Sequence, residues 1–530
     1  MSDFLEPRFL AVSLFMLFIA ACLFLAMWVS PDLRLGDGFF REGKQLGTVP
    51  TGLAFASEIM PTAAVLYLLG TVAVSGFDGV ILFLCAAASP VLMRRWLAGG
   101  LPAVRGRTFG EMVTRHLPHG PAKRWVGAAC LVAVLPLLIA QLQPLGHAAQ
   151  LIGLSDPFSR RMLLVLAGGL ILACAAIGAA RGATLHQIGT AASFLLIAPV
   201  MAGMVLLRFD GDIGTLLEAA ERQQGGTGAY LGTGGLFGGG VAGHLDLLSY
   251  AGCVLLGAAF LPHIAVRLAG SPDARSARKA SGVGAAALCF LVSTALFLGF
   301  GIAALVDREE LAQEGPFGGV NLALLAMALD GSEAGDVGKL LFFMMCAVFL
   351  TILASASVLL LSGSASIVHD LGLGGSAEVE PSARDRGAVR ARVAMVGLGI
   401  VSILISASTI DVSPQFWLVL TYTETVSTLL PLLVFSMGKR SVPAAAIKYC
   451  VLVTTVINLV LISFSPLVSG TTHALFPHGD WSMWPLTSPS LLSVPAGFLI
   501  CRAFARRREP TVEDAVGGEY GSPVTAPLRR

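Results

Sequence analysis

Residues 50–76 read PTGLAFASEIMPTAAVLYLLGTVAVSG. A bilayer core of about 30 Å needs about 20 mostly apolar residues per helix, and this run is long enough. Glu58 and Pro61 nevertheless fall near its middle. Proline has no N–H and crowds the carbonyl four residues back, so a helix kinks or breaks there. In lipid a freed carbonyl has no water to turn to, so the break must face protein, water or an ion. An ionisable group at mid-bilayer costs about 2.5 kcal/mol or more and is a functional candidate by default. Two readings stay open: a broken helix at a solute path with Glu58 as a working group, or a kinked packing helix with Glu58 paired to a neighbour.

The rest of the chain supports a membrane setting. Of 530 residues, 55% are hydrophobic and 13% charged, with 61 Gly besides. Soluble domains carry about 25% charged residues, so this chain cannot cover a water-facing surface of its size. That excludes an ordinary cytosolic enzyme and a disordered chain. The net charge of +2 is too small to attract a polyanion, so no nucleic-acid partner is expected. All nine Cys lie in apolar runs without a CxxC pair, which suggests neither a disulfide framework nor a zinc site.

Thirteen candidate spans follow: roughly 9–29, 50–75, 78–93, 125–152, 162–180, 184–207, 247–266, 280–306, 338–368, 391–408, 412–437, 441–465 and 485–504. The leading MSDFLEPR is acidic where a signal peptide would be basic, so 1–30 is expected to be a retained helix. With the N-terminus outside, 27 of the 35 Lys and Arg fall on the cytoplasmic side and 7 on the other, with Lys448 inside a span. The positive-inside rule therefore predicts N-out and C-in, in the plasma (inner) membrane. The segment 208–246 becomes an extracellular loop, and its Gly-rich stretch 225–240 reads as a flexible one. Residues 441–504 hold two accessory spans, and 505–530 form a polar cytoplasmic tail.

Other spans are interrupted too. In LLSYAGCVLLGAAFLPHIAVRLAG (247–270), Gly252, Gly257 and Pro262 loosen the helix midway. Broken helices in corresponding positions of two halves point to a transporter's central site. The two broken spans would open five-helix units at 50–207 and 247–437, the second inverted. The span 338–368 carries Thr351, Ser355, Ser362 and Ser366 near one face; such hydroxyls permit close helix packing or supply oxygen ligands to a cation. Glu424 in 412–437 is a second intramembrane acid; it can carry a proton, face a cavity, pair internally, or serve as a neutral structural group. Gln141 and Gln143 can line a cavity or satisfy helix contacts. No Lys or Arg is expected deep in the core spans, which leaves half-helix N-termini to attract an anion.

The run DGFFREGKQLGTVPTGLAFASEIMPTAAVLYLLGTVAVSGFDGVI resembles the first core helix of the sodium:solute symporter family, in its acetate permease branch. LGAAFLPHIAVRLAGSPDARSARKAS is similar to that branch's sixth core helix and the loop after it. GGVNLALLAMAL, SGSASIVHDL, RTFGEMV, LLIAQLQPLGHAAQLIGL and STLLPLLVFSMGKR resemble further elements in the same order. The resemblance covers roughly residues 38–445.

It implies an all-α polytopic membrane protein with a LeuT-type 5+5 inverted-repeat core, one N-terminal and two C-terminal helices, about 13 in all. It also implies symport of a short monocarboxylate, of the acetate, propionate or pyruvate type, with Na⁺ or H⁺. Carried over by position, a cation site would use carbonyls near Ser57 and Met60 with Thr351, Ala354 and Ser355. Glu58, Thr62, Gln141, Gly257 and Glu424 are the candidates for substrate contact or coupling. No cofactor is expected beyond a possible bound Na⁺. Competing readings are a symporter for another small organic solute, such as an amino acid or urea, and a non-transporting sensor homologue. No HExxH or nucleophile-elbow motif suggests an enzyme.

Overall fold

The computed structural model describes residues 7–29, 47–117, 120–151, 156–226, 228–309, 311, 318–331, 339–372, 381–438 and 440–507. The expectations for residues 1–6, for most of the stretch between the first two spans and for the tail beyond 507 lie outside the described residues. The regular structure of the described residues is helical, apart from a two-residue antiparallel ladder that pairs Arg440–Ser441 with Arg506–Arg507 and an isolated bridge between Ser469 and Phe476.

Among the described residues nine helices are long and apolar enough to cross a bilayer, or ten with one bent pair counted as a span. Thirteen candidates had been read from the sequence, and the difference has physical causes. Pro157–Arg208 runs for 52 residues and covers two candidates. Straight, it would measure about 78 Å, far more than a bilayer core. Ala179 takes φ 48° and ψ −151°, and this single non-helical residue turns the chain between the two candidates. Helix Pro7–Val29, 23 residues long, covers the first candidate, and the apolar helix Ser490–Phe504 is shorter than a full span.

The bent pair is Thr48–Ile59 and Thr62–Ser75, which meet at 57°. Met60 leaves the helical region at φ −116°, ψ 74°, and Pro61 sits at ψ 155°. A second interruption separates Gly240–Gly257 from Pro262–Ala269. Helix Lys339–Ala365 packs against both halves of the bent pair and against Pro121–Leu151 and Pro157–Arg208.

Two glycines allow close approach at the first break. A Cβ on Gly52 would lie 2.6 Å from the Val283 side chain and 2.8 Å from the Ala280 carbonyl, and one on Gly284 would meet Phe55 at 2.4 Å. Thr48–Ile59 therefore lies almost backbone to backbone on Ala274–Leu305.

The Gly-rich stretch is anchored where flexibility had been expected. Asp78 accepts hydrogen bonds from the N–H groups of Gly234 (2.7 Å) and Leu236 (2.8 Å). Tyr230 donates its hydroxyl to the Val72 carbonyl at 2.7 Å. Phe237 stands edge-on to Tyr250, which stands edge-on to Tyr67. These aromatics fill the space between Thr62–Ser75 and Gly240–Gly257 on this face of the bundle.

Candidate functional site

The break at Pro61 exposes backbone groups by simple accounting. Pro61 has no N–H to offer the Ser57 carbonyl. The Ala63 N–H, which would have served Ile59, instead donates to Gln141 Oε1 at 3.2 Å. Gln141 comes from the middle of Pro121–Leu151 and is fully buried. The Ser355 hydroxyl lies 3.1 Å from the same Oε1 and 2.6 Å from the Thr351 carbonyl, and its single proton is shared between them. One glutamine thus ties the second half of the broken helix to Lys339–Ala365.

Around this knot several polar atoms are buried without a hydrogen-bond partner among the described residues: Ser57 Oγ, Thr62 Oγ1 and Gln141 Nε2. Buried polar groups are normally satisfied, so a cluster of orphans at a helix break marks a place for a ligand or an ion. Thr351 is also buried, and its hydroxyl donates to the Ala347 carbonyl at 2.7 Å. Ala354 is fully buried and Met60 nearly so. Hydroxyl and carbonyl oxygens are the ligands a hard cation takes; among the described residues no group of three or more His, Cys, Asp or Glu could hold a metal.

Glu58 belongs to a second cluster beside the first. Its Oε1 accepts from Arg267 Nε at 2.6 Å and from Gln187 Nε2 at 2.9 Å. Arg267 Nη2 donates to Gln187 Oε1 at 2.7 Å and to Thr184 Oγ1 at 3.2 Å. This corrects the expectation that no basic side chain lies deep in the core. Arg267 falls just past the candidate span 247–266, yet it stands on Pro262–Ala269 with its side chain only 15% exposed. The pair joins the Thr48–Ile59 half to the Pro262–Ala269 half, just as Tyr67 and Tyr250 join the other two halves. Removing one partner of such a pair leaves a buried charge uncompensated, at a cost of about 3–5 kcal/mol.

A cavity of about 760 Å³ reaches this pair, lined among others by Thr51, Glu58, Thr184, His263, Arg267 and Ser366. Exposed Arg105 and Arg107 line it as well. Thr108 beside them caps helix Phe109–Thr114 and donates to Asp370. Phe237, Tyr250 and Tyr67 are not part of the cavity lining.

One candidate lies elsewhere. Glu424 is buried, but its carboxylate accepts from Thr455 (2.7 Å) and Asn458 (3.1 Å) of helix Ala444–Ser463. The structure does not bring it to Glu58. Gly257 ends its half-helix against Tyr422, whose side chain a Cβ would approach to 3.0 Å. The sequence reading missed Arg267, Gln187 and Thr184. The signal for Arg267 was its place five residues beyond Pro262, on the short second half of a broken helix.

Residues 39–444 match the family described as SSF, sodium:solute symporter family. The chain belongs to the sodium:solute symporter family. It is therefore a secondary transporter and not an enzyme, in a family of sodium-coupled solute symporters. A monocarboxylic acid transporter of Corynebacterium glutamicum is 25% identical over 510 residues, covering 92% of this chain and 90% of that one. The uncharacterized symporter YwcA of Bacillus subtilis is 27% identical over 492 residues, covering 92% of each. The fold is similar to that of a Na⁺-coupled sialic acid symporter solved in a substrate-bound outward-open state. That likeness has a TM-score of 0.66 at 13% identity and covers 95% of this chain and 100% of that one.

Proposed function

We propose that this symporter-family protein takes up a short monocarboxylate, of the acetate, propionate or pyruvate type, together with Na⁺ or H⁺ by alternating access. The observation that carries the reading is the knot at Gln141, which joins the broken helix at Ala63 to Ser355. The cation would rest among Ser57, Met60, Thr351, Ala354 and Ser355, where orphaned hydroxyls and freed carbonyls gather. Thr62, Gln141 and Gly257 would face the substrate beside it. The name of the Corynebacterium relative supports the substrate class, and so does a buried guanidinium in the lining of the cavity.

In this reading 50–207 and 247–437 are two inverted five-helix units within a chain of thirteen spans, N-out and C-in. The cavity opens on the face rich in arginine, which the positive-inside rule makes cytoplasmic. The structure would then stand open to the cytoplasm and closed outside by Tyr67, Tyr250 and Phe237.

Labelled acetate uptake into proteoliposomes, under an imposed Na⁺ or pH gradient, tests this. Accumulation driven by one of the two gradients is expected. Uptake indifferent to both would reject symport.

A further inference from the structure

Arg267, in the lining of the cavity, is held from two sides. Glu58 takes its Nε, while Gln187 and Thr184 take its Nη2. Gln187 also donates to Glu58, so one amide touches both members of the pair. We propose that Arg267 is an exchangeable carboxylate-binding residue: a short monocarboxylate in the cavity takes the guanidinium from Glu58, and the exchange unlocks Thr48–Ile59 from Pro262–Ala269. The inference rests on the monocarboxylate reading above and adds to it an anion site that lies off the helix break.

Three observations carry it. First, the described cavity lining holds Arg105, Arg107 and Arg267 against the single acid Glu58. Two arginines are exposed and the third is mostly buried, so the lining is net positive and draws a small anion inward. Second, the guanidinium keeps its orientation when Glu58 leaves, because Gln187 Oε1 and Thr184 Oγ1 still hold Nη2. A fixed planar fork suits a carboxylate and loses little freedom on binding it. The Gln187 amide that now serves Glu58 can donate to the incoming oxygen in its place. Third, Glu58 itself lines the cavity, so the displaced carboxylate turns to water rather than to lipid. The two halves that the pair joins are the short arms of the two broken helices, so loss of the pair frees both.

The test is equilibrium binding of labelled acetate to the purified full-length protein, with acetamide as the uncharged probe, alongside uptake into proteoliposomes. Glu58→Gln removes the competing charge and is expected to bind acetate about tenfold tighter, the factor that ~1.4 kcal/mol carries. Arg267→Gln is expected to bind it at least about tenfold more weakly. Acetamide should be indifferent to both changes. Where Arg267→Gln does not fold, the double variant E58Q/R267Q leaves no lone charge and should likewise bind acetate at least about tenfold more weakly than the wild type. Wild-type acetate affinity in Glu58→Gln together with R267Q or the double variant overturns the exchange, and transport of acetate by the wild type would then leave the symport reading standing. If the wild type transports no monocarboxylate yet Glu58→Gln binds acetate through Arg267, the anion site stands and the symport reading falls. If neither occurs, both fall.

Discussion

Gln141→Met isolates the knot at the broken helix. The substitution keeps the length of the side chain and deletes its amide, which is the Oε1 acceptor together with the unpartnered Nε2. Ser355 is not stranded by it, since its hydroxyl still reaches the Thr351 carbonyl at 2.6 Å. The Ala63 N–H is stranded, because Gln141 Oε1 is its partner and Ala63 is buried. An orphaned buried donor costs about 1–3 kcal/mol. If the whole cost falls on the conformation that holds the ion, cation affinity drops about fivefold to a hundredfold. Reversible unfolding of the protein in mixed micelles reads the first effect, and the cation dependence of acetate uptake reads the second. Gln141→Glu restores an acceptor and should recover stability at a pH low enough to keep the buried carboxyl neutral. A Gln141→Met protein with wild-type unfolding and wild-type cation dependence would refute the role given to this residue.

Three shorter predictions follow from other parts of the structure. Glu424→Gln should lower stability by about 1 kcal/mol by weakening the bonds from Thr455 and Asn458, and should leave the pH profile of uptake unchanged; a shifted profile would return a proton role to Glu424. Gly52→Ala should destabilise by about 1–3 kcal/mol, because its Cβ would meet Val283 and the Ala280 carbonyl inside contact distance; wild-type unfolding would show that the two helices have room to separate. Burial opposes the charge on Glu111, but the Arg107 N–H and Lys123 outweigh it and hold the carboxyl below its ordinary value. A depressed carboxylate stabilises the fold above its unfolded pKa, and that contribution is lost as pH falls through the folded one. Glu111→Gln should therefore flatten the acid limb of the stability profile, and an unchanged limb would contradict this.

Helix positions were legible because twenty-residue apolar runs have few other uses. The first break was legible because proline at mid-span leaves the backbone no alternative. Contacts between distant residues were not legible. Arg267 looked like a loop residue by charge counting, since nothing local reveals that Glu58, 209 positions earlier, reaches it. The alternatives for Glu424 stayed open in the sequence for the same reason: its partners lie on a helix about thirty residues further on. The Gly-rich stretch looked flexible by composition, while Asp78, from another helix, supplies the acceptors that fix it. Periodicity and composition describe one element at a time; an ion pair or a loop anchor belongs to two.

The central claim is that cation and carboxylate meet at the broken helix beside Ser355. Its most direct test is the acetate affinity of the purified protein across a range of Na⁺ and H⁺ concentrations, in the wild type and in Ser355→Ala. Linkage requires that a coupling cation tighten acetate by the same factor as acetate tightens the cation. The account predicts such a factor in the wild type and its loss in Ser355→Ala. Acetate affinity independent of both cations, or a factor untouched by Ser355→Ala, would contradict it.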